Sequence, residues 1–221
     1  MNVKVKVCGM TRVSDALLAS ELGAAAIGFV FWDKSPRSIQ PAQAAAITAQ
    51  LPPDVAPVGV FVDPSPAWVE EVSAQVRLAA VQLHGGETPE FCVAIPNRVI
   101  KAMPLREPAD VERAVRLPEC VTPLVDVHDP EKKGGTGRTV DWALAADVAR
   151  RRRIFLAGGL NPANVAEAVR VVRPYALDVS SGLETSPGVK SPELLESFFG
   201  ALVAIDQTSL EQERWAAKNH G

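Results

Sequence analysis

An alternation between short β-rich runs and longer helical stretches, repeated along the chain, most constrains its fold. The first run, residues 3–8, alternates apolar and polar side chains and predicts a strand, and residues 12–22 predict a helix. Thr11 is the expected N-cap of that helix and Gly23 its stop signal. The other predicted strands are residues 25–31, 57–62, 79–83, 99–102, 123–126, 154–157 and 176–179.

Several of the intervening helices are indicated by a capping side chain followed by proline. Proline suits the first helical position because the missing N–H would have no partner within the helix. Such pairs begin at Ser65, Thr88, Asn161 and Ser191, with a weaker one at Gln40. Residues 107–117 and 142–151 are further predicted helices.

The resulting count is eight strands and eight helices, with a strand first. Strands that alternate with helices form a parallel sheet with right-handed crossovers, and eight such units can close into a (β/α)8 TIM barrel. Six or fewer would instead favour an open, doubly wound sheet. We predict one α/β barrel domain over residues 1–205, followed by a polar tail over residues 206–221 that is helical or disordered.

Composition excludes several classes of function. The formal net charge is −3 with 22% charged residues, and no clustered basic excess indicates nucleic-acid binding. The three cysteines are widely spaced and form no CxxC, which disfavours a disulfide framework or a zinc site. No apolar run approaches the ~20 residues that span a bilayer, and the chain opens on a strand pattern rather than a signal segment. We therefore expect a cytoplasmic protein with no metal, nucleic-acid or membrane partner.

In a barrel of this kind, chemistry belongs at the carboxyl ends of the strands. Cys8 closes the first strand and is either a small buried hydrophobe or a functional thiol. Asp126 closes the sixth strand, where a carboxylate is costly unless it is paired, hydrated or functional. A metal at Asp126, His128 and Asp129 is a weak alternative, because the spacing defines no ligand geometry.

Glycine-rich loops follow the last three strands. The loop around Gly135 is either a flexible connection or a lid over a substrate. Gly158 and Gly159 follow the seventh strand, and Ser180, Ser181 and Gly182 follow the eighth. Turns of small residues can point several backbone N–H groups at one anion, and these two loops are the recurrent phosphate site of such barrels. We predict a phosphate site there.

Four further polar residues are candidate substrate contacts. Arg37, after the second strand, is either a solvated loop residue or a clamp for a carboxylate, which a guanidinium meets in a bidentate fork. Gln82 and His84 end the fourth strand, and Asp178 lies near the end of the eighth. Each of these three is either a substrate contact or a residue whose hydrogen bonds are satisfied within the protein.

An ordered set of motifs resembles the phosphoribosylanthranilate isomerase family over about residues 3 to 200. The motifs are residues 6–11 (KVCGMT), 29–31 (FVF) leading to 35–37 (SPR), 60–62 (VFV), 81–85 (VQLHG), 134–137 (GGTG), 157–161 (AGGLN), 178–184 (DVSSGLE) and 187–190 (PGVK). Two positions depart from the family pattern: Val140 stands where an aromatic residue is frequent, and Ser191 where an aspartate is. The collinear set is far more specific than any one motif.

The resemblance implies a cofactor-free isomerase of tryptophan biosynthesis. It would convert N-(5-phosphoribosyl)anthranilate to the 1-deoxyribulose 5-phosphate derivative by an Amadori rearrangement, with Cys8 as general base and Asp126 as general acid. A thiol can serve as base if its pKa falls from the free value of ~8.5 towards neutrality. The partner is then a phosphorylated aminosugar, and the protein is a monomer or a homodimer.

Two other functions compete with this one. A histidine-pathway isomerase also performs an Amadori rearrangement on a barrel, but that family uses an aspartate where Cys8 ends the first strand. A non-catalytic sensor of phosphorylated ligands would keep the glycine turns and would have no need of both Cys8 and Asp126.

Overall fold

The structure, a computed structural model, describes residues 3–126 and 142–219, with side chains up to residue 205. Its barrel strands are β1 Lys4–Val7, β2 Ala26–Val30, β3 Ala56–Phe61, β4 Ala80–Leu83, β5 Arg98–Pro104, β6 Val121–Asp126, β7 Phe155–Ala157 and β8 Ala176–Val179. The helices are α1 Val13–Glu21, α2 Pro41–Thr48, α3 Pro66–Val76, α4 Pro89–Ala94, α5 Pro108–Val115, α6 Trp142–Arg151, α7 Val165–Val172 and α8 Pro192–Asn219. A short 3-10 turn, Ser181–Leu183, and a hairpin of β9 Glu184–Ser186 and β10 Val189–Lys190 precede α8.

Strands β1 to β8 pair in the order in which they occur in the chain, and together they close into a barrel. Every neighbouring pair is parallel, and β8 returns to β1 with Lys6 opposite Asp178 and Val7 opposite Val179. This confirms the predicted (β/α)8 barrel. Closure also brings the two strand ends that carry Cys8 and Asp178 side by side, although they lie far apart in sequence.

The two faces of the barrel sheet have different chemistry. Successive side chains of a strand point to opposite faces, so Val5 and Val7 pack into the main apolar core under the helices. Lys6 and Cys8 consequently face the barrel interior, where Cys8 contacts Val30 and Val60. The interior also packs apolar side chains such as Ile100 and Leu124, so Lys6 and Cys8 are polar groups inside a largely apolar barrel.

Three predicted helix caps are confirmed. The hydroxyls of Ser65, Thr88 and Ser191 accept hydrogen bonds from backbone N–H groups of the first turns of α3, α4 and α8, at 3.2, 3.3 and 3.2 Å. These bonds satisfy donors that have no partner within the helix. Gln40 precedes α2 as its N-cap, with proline at the first helical position, and Gly23 follows α1 at a φ of 106°.

Two predicted caps are wrong, because the side chains of these residues form hydrogen bonds with other groups. Helix α1 begins after Arg12, while the Thr11 hydroxyl donates to the carbonyl of Gly188, 2.5 Å away in the β9–β10 hairpin. Helix α7 begins only at Val165. The side chain of Asn161 instead accepts from the N–H of Ala163 at 2.9 Å and so closes a local turn.

The last helix, α8, is the longest and runs over 28 residues. Among the described residues, no helix combines the length and the apolar character needed to cross a membrane.

Candidate active site

The predicted acid, base and polar contacts gather at one rim of the barrel. Cys8 follows β1 directly, Asp126 ends β6, His84 follows β4, and Asp178 lies near the end of β8. These are the carboxyl ends of parallel strands, which all meet at the same edge of a closed barrel. The structure therefore brings together four predicted residues from four strands.

Cys8 is held rigidly at this rim. Its N–H donates to the carbonyl of Val179 at 2.8 Å, and its carbonyl accepts from the hydroxyl of Ser180 at 3.0 Å. The following residue, Gly9, has a φ of 74°, and a Cβ there would lie 2.6 Å from Cδ of Arg37. Only glycine fits both the backbone conformation and the space, so the Arg37 side chain runs directly beside the Cys8 peptide.

A lysine that the sequence reading did not single out lies under Cys8. Lys6 has 0% of its surface exposed, and its ammonium donates to Oδ1 of Asp178 at 2.6 Å. Burial by itself lowers the pKa of Lys6, but Asp178 and Cys8 outweigh it and raise that pKa above its ordinary value. Lys6 therefore places its ammonium, paired with Asp178, at the base of the site. A signal was present in the sequence, since residues 4–8 alternate strictly and place Lys6 on the face of Cys8.

The expected fall in the thiol pKa is not found. Burial of Cys8 raises its pKa, because a thiolate loses its hydration inside the protein. Lys6 and, more weakly, Lys190 act in the opposite direction, whereas Asp178 adds to the rise. The thiolate thus depends on its cationic neighbours to offset the cost of burial.

His84 is a neutral imidazole tied to Gln82. Burial lowers the pKa of His84, against the opposing influence of Asp126 and Asp178. The Gln82 amide Nε2 lies 3.1 Å from Nδ1 of His84, and a neutral ring that accepts there carries its proton on Nε2. Gln82 is 1% exposed, and its Oε1 has no hydrogen-bond partner among the described residues. Asp126 and Asp178 each raise the pKa of His84, against the larger effect of burial.

Arg37 forms the predicted bidentate fork, but with a carboxylate of the protein itself. Its Nε and Nη2 donate to the Glu184 carboxylate at 2.9 and 2.6 Å. The Lys190 ammonium approaches the same carboxylate at 2.7 Å. Burial raises the pKa of Glu184, but these two cations lower it by more, so that the net pKa lies below its ordinary value. Glu184 and Lys190 end two of the motifs that resemble the family, but no role was predicted for either residue.

The predicted phosphate turns lie against each other. Gly158 and Gly159 have φ values of 96° and 63°, and the carbonyl of Gly159 accepts from the Asn164 amide at 2.9 Å. A Cβ on Gly182 would collide with the carbonyl of Leu160, so the loops after β7 and β8 are in direct contact. Ser181 and Gly182 form the 3-10 turn at this contact. Gly135, the predicted lid residue, lies outside the described residues.

Within residues 3–126 and 142–219, no three His, Cys, Asp or Glu side chains are grouped so that they could hold a metal ion. A closed parallel barrel with ionisable groups at the carboxyl ends of its strands defines a (β/α)8-barrel enzyme. The ionisable groups and the contacting glycine turns are those expected of an enzyme that acts on a phosphorylated substrate.

Comparisons with known proteins specify the family. The family model for N-(5'-phosphoribosyl)anthranilate (PRA) isomerase matches residues 5–201. A relative named N-(5'-phosphoribosyl)anthranilate isomerase, from Geobacter sulfurreducens, is 47% identical over 196 residues, which cover 89% of this chain and 96% of that protein. The chain belongs to the phosphoribosylanthranilate isomerase family, and the isomerase function in tryptophan biosynthesis that its motifs implied is confirmed.

Two solved structures support the same assignment. A phosphoribosylanthranilate isomerase in complex with reduced 1-(o-carboxyphenylamino)-1-deoxyribulose 5-phosphate superposes with a TM-score of 0.83 at 42% identity, covering 92% of this chain and 100% of that one. A structure of monomers generated from the dimeric enzyme of Thermotoga maritima gives a TM-score of 0.81 at 41% identity, covering 90% and 98%.

Proposed function

We propose that Cys8 is the general base and Asp126 the general acid in the rearrangement of N-(5'-phosphoribosyl)anthranilate to 1-(2-carboxyphenylamino)-1-deoxyribulose 5-phosphate. The observation that carries this proposal is their common rim. Cys8 directly follows β1, Asp178 lies on the neighbouring β8, and Asp126 ends β6 at the same edge of the barrel. A thiol and a carboxyl from different strands can then reach different atoms of one sugar.

The proton steps follow from these positions. Asp126 donates a proton to the furanose ring oxygen, the C1–O bond breaks, and the nitrogen lone pair forms a C1=N iminium. The Cys8 thiolate then removes the proton from C2, and the C2–H electrons form the C1=C2 bond of an enolamine. As this bond forms, the C1=N electrons return to the nitrogen. C1 then gains a proton and the C2 hydroxyl loses one, which yields the ketone. Proton exchange with the thiol and the carboxylate left by the earlier steps restores both groups, so the rearrangement needs no oxidant or reductant. The iminium is a strong electron sink, so a base of modest strength suffices.

The remaining predicted residues bind the substrate in this proposal. The contacting turns at Gly158–Gly159 and Ser181–Gly182 hold the phosphate, because their backbone N–H groups can converge on one anion. Ser180 supports the site from the side by fixing the Cys8 carbonyl. Gln82 and His84 supply a buried acceptor and a ring N–H. The Arg37 guanidinium, which Glu184 orients through Nε and Nη2, recognises the carboxylate of anthranilate with its remaining donors.

Replacement of the acid and the base tests the chemistry. Cys8→Ser and Asp126→Asn should each lower kcat at least ~10²-fold, the usual scale for acid–base groups. Both side chains are replaced by ones of similar size, so circular dichroism should be unchanged. The reduced product analogue should still bind both variants, because the phosphate turns are intact. Near-normal turnover in both variants would contradict the assigned roles.

The carboxylate clamp is tested by comparing two ligands. Arg37→Ala should weaken binding of the reduced product analogue by about 10- to 100-fold, the scale of a charged bidentate hydrogen bond, and leave inorganic phosphate nearly unaffected. Arg12→Ala is the matched control, because Arg12 is a half-exposed arginine of the loop after β1. Equal losses for phosphate and for the analogue would rule out a role specific to the carboxylate.

We further propose a cytoplasmic enzyme that is a monomer or a homodimer and has no nucleic-acid partner. Its three cysteines are free thiols, one of them exposed, which suits a reducing compartment. The Thermotoga maritima relative is dimeric by its description. Sedimentation equilibrium over a range of concentrations distinguishes the two oligomeric states.

A further inference from the structure

The lysine beneath Cys8 has surroundings that a merely structural lysine does not need. Lys6 precedes Cys8 by two residues, so both side chains emerge on the inner face of β1. The ammonium is fully buried, donates to Asp178 at 2.6 Å and lies near enough to Cys8 for the charges of the two groups to interact. It reaches no solvent, and Cys8 lies between it and the rim where a substrate would sit. Any effect of Lys6 on the reaction must therefore pass through another residue.

Gly28 shows how closely the two groups lie. A Cβ on this inward-facing residue of β2 would be 2.9 Å from the sulfur of Cys8 and 2.9 Å from Nζ of Lys6. Sulfur and nitrogen thus flank the same small gap, and the absence of a side chain on Gly28 keeps that gap open. The sequence of β2 therefore accommodates both groups at once.

Among the described residues, four charged groups act on the Cys8 side chain from the elements around it. They are Lys6 on β1, Asp178 on β8, Lys190 on β10 and Arg37 after β2. Lys6 has the largest effect among the cations that favour the thiolate, and Asp178 opposes it. Asp178 and the Cys8 thiolate interact with the same ammonium. The attraction between Lys6 and either anion is therefore partly offset by the other anion.

We propose that Lys6 is a positioning residue for Cys8, whose ammonium stabilises the buried thiolate as the base of the reaction. This inference rests on the proposed role of Cys8. When the thiolate takes the C2 proton, the charge on sulfur disappears, while Lys6 keeps its own proton and its bond to Asp178. The lysine thus donates no proton to the substrate at any step.

The test measures the reactivity of Cys8 without any substrate. The rate of iodoacetamide alkylation is followed from pH 6 to pH 10, and mass spectrometry of peptides separates Cys8 from the exposed Cys120. Lys6→Met should lower the rate at pH 8 about tenfold or more, as expected for the loss of a cation within ~4–6 Å. Asp178→Asn should raise the alkylation rate, because the Lys6 ammonium then has no carboxylate partner and stabilises the thiolate more strongly. Lys4→Met, on the same strand but exposed at the other end of the barrel, should change nothing.

The shape of the pH dependence separates electrostatics from packing. A change in exposure multiplies the alkylation rate by one factor at every pH, whereas loss of the cation moves the whole curve to higher pH. In the isomerase assay, Lys6→Met should lower kcat with little change in KM. The part of the pH profile in which kcat rises with pH should move to higher pH. An unmoved alkylation curve in a folded Lys6→Met protein would overturn the inference.

One further variant, compared with Asp178→Asn, keeps the inference testable if Lys6→Met does not fold. The double variant Lys6→Met/Asp178→Asn removes both buried charges and should still alkylate more slowly at pH 8 than Asp178→Asn alone. Equal rates in those two proteins, or a slower rate in Asp178→Asn than in the unmodified chain, would overturn it. Since alkylation needs no turnover, a failure of the proposed reaction would leave these curves unaffected and would be seen separately as lost isomerase activity.

Discussion

Two buried lysines lie on opposite faces of the barrel sheet, and their partners differ. Lys101 points outward from β5, and its ammonium donates to the carbonyls of Gly85 and Ala102 at 2.8 and 3.1 Å and pairs with Glu87 at 3.1 Å. Lys6 points inward, towards a carboxylate and a thiol. The outer lysine thus ties a loop to a strand, while the inner one contacts a group that can gain and lose a proton.

The charge on Lys101 has a structural role, whereas the charge on Lys6 lies beside a group that takes part in the proposed reaction. The carbonyls around Lys101 cannot titrate, and Glu87 takes no part in the proposed reaction, so we expect this cluster to contribute to stability rather than to the chemical step. A buried cation beside a titratable nucleophile is costly for a fold to retain, and such arrangements concentrate at functional sites. Substitutions on the outer face should therefore change stability, and those on the inner face should change catalysis.

The largest expected effect belongs to the outer lysine. Lys101→Met leaves the Glu87 carboxylate, with 3% of its side chain exposed, without its cation. Removing one partner of a buried pair costs roughly 3–5 kcal/mol of unfolding free energy, which urea denaturation measures. The kcat at a temperature where the variant is folded should be close to that of the unmodified protein.

A second substitution shows whether that loss comes from the unpaired carboxylate. The double variant Lys101→Met/Glu87→Gln should recover part of the stability, because no buried charge is then left alone. A large fall in kcat for Lys101→Met, at full folding, would break the division between the two faces.

Two glycines on adjacent strands test the same difference between the inner and outer faces of the sheet. Gly28→Ala, on the inner face, places a Cβ between the Cys8 sulfur and Lys6, and a displacement of about 1 Å at a reacting group can cost up to ~10²-fold in rate. Gly59→Ala, on the outer face, places a Cβ 2.5 Å from Cδ1 of Leu78. Overpacking of that kind costs about 1–3 kcal/mol in stability.

Steady-state kinetics and thermal unfolding of the two glycine variants therefore form a matched pair. We expect Gly28→Ala to lose activity with a smaller loss of stability, and Gly59→Ala to lose stability with nearly normal kcat. Similar kinetic losses in both variants would mean that the whole sheet, rather than its inner face, controls the geometry of the site.

The outer face and the strand order could be predicted from the sequence, because they depend on local patterns. Apolar alternation and proline-marked caps locate strands and helices, and the number of units implies closure. The ends of some helices could not be predicted. The Thr11 hydroxyl bonds to Gly188, which is remote in sequence, and a local cap signal cannot reveal such a competitor.

The inner face could be predicted only in part. Cys8 and Asp126 were identifiable because each ends a strand, and the resemblance to a family assigned their roles. Lys190 and Glu184 reach Arg37 only through the folded β9–β10 hairpin, so no spacing pattern indicated them. The direction of the Cys8 pKa depends on burial and on charges from several strands, which a linear sequence does not show.

The smallest expected effect concerns acid stability and compares an inner with a surface ion pair. Because Arg37 and Lys190 hold the pKa of Glu184 below its ordinary value, the folded protein keeps this carboxylate ionised at a pH where the unfolded chain takes up a proton. The stabilisation is fully present above the unfolded pKa of ~4.3 and is lost as the pH falls through the lower, folded pKa. Glu184→Gln should remove this contribution to the acid-induced fall in Tm between about pH 5 and pH 3.

Glu112→Gln is the matched variant, since Glu112 pairs with Arg151 on the exposed surface and its pKa is also lowered by that arginine. Exposed pairs contribute little and are screened by salt. The Glu112 effect should therefore be smaller and should fade as the ionic strength rises, while the Glu184 effect persists because its side chain is 4% exposed. If salt abolished both effects equally, the Glu184 ion pairs would behave like the exposed Glu112–Arg151 pair. The contrast between buried and exposed charges would then not hold for Glu184 and Arg37.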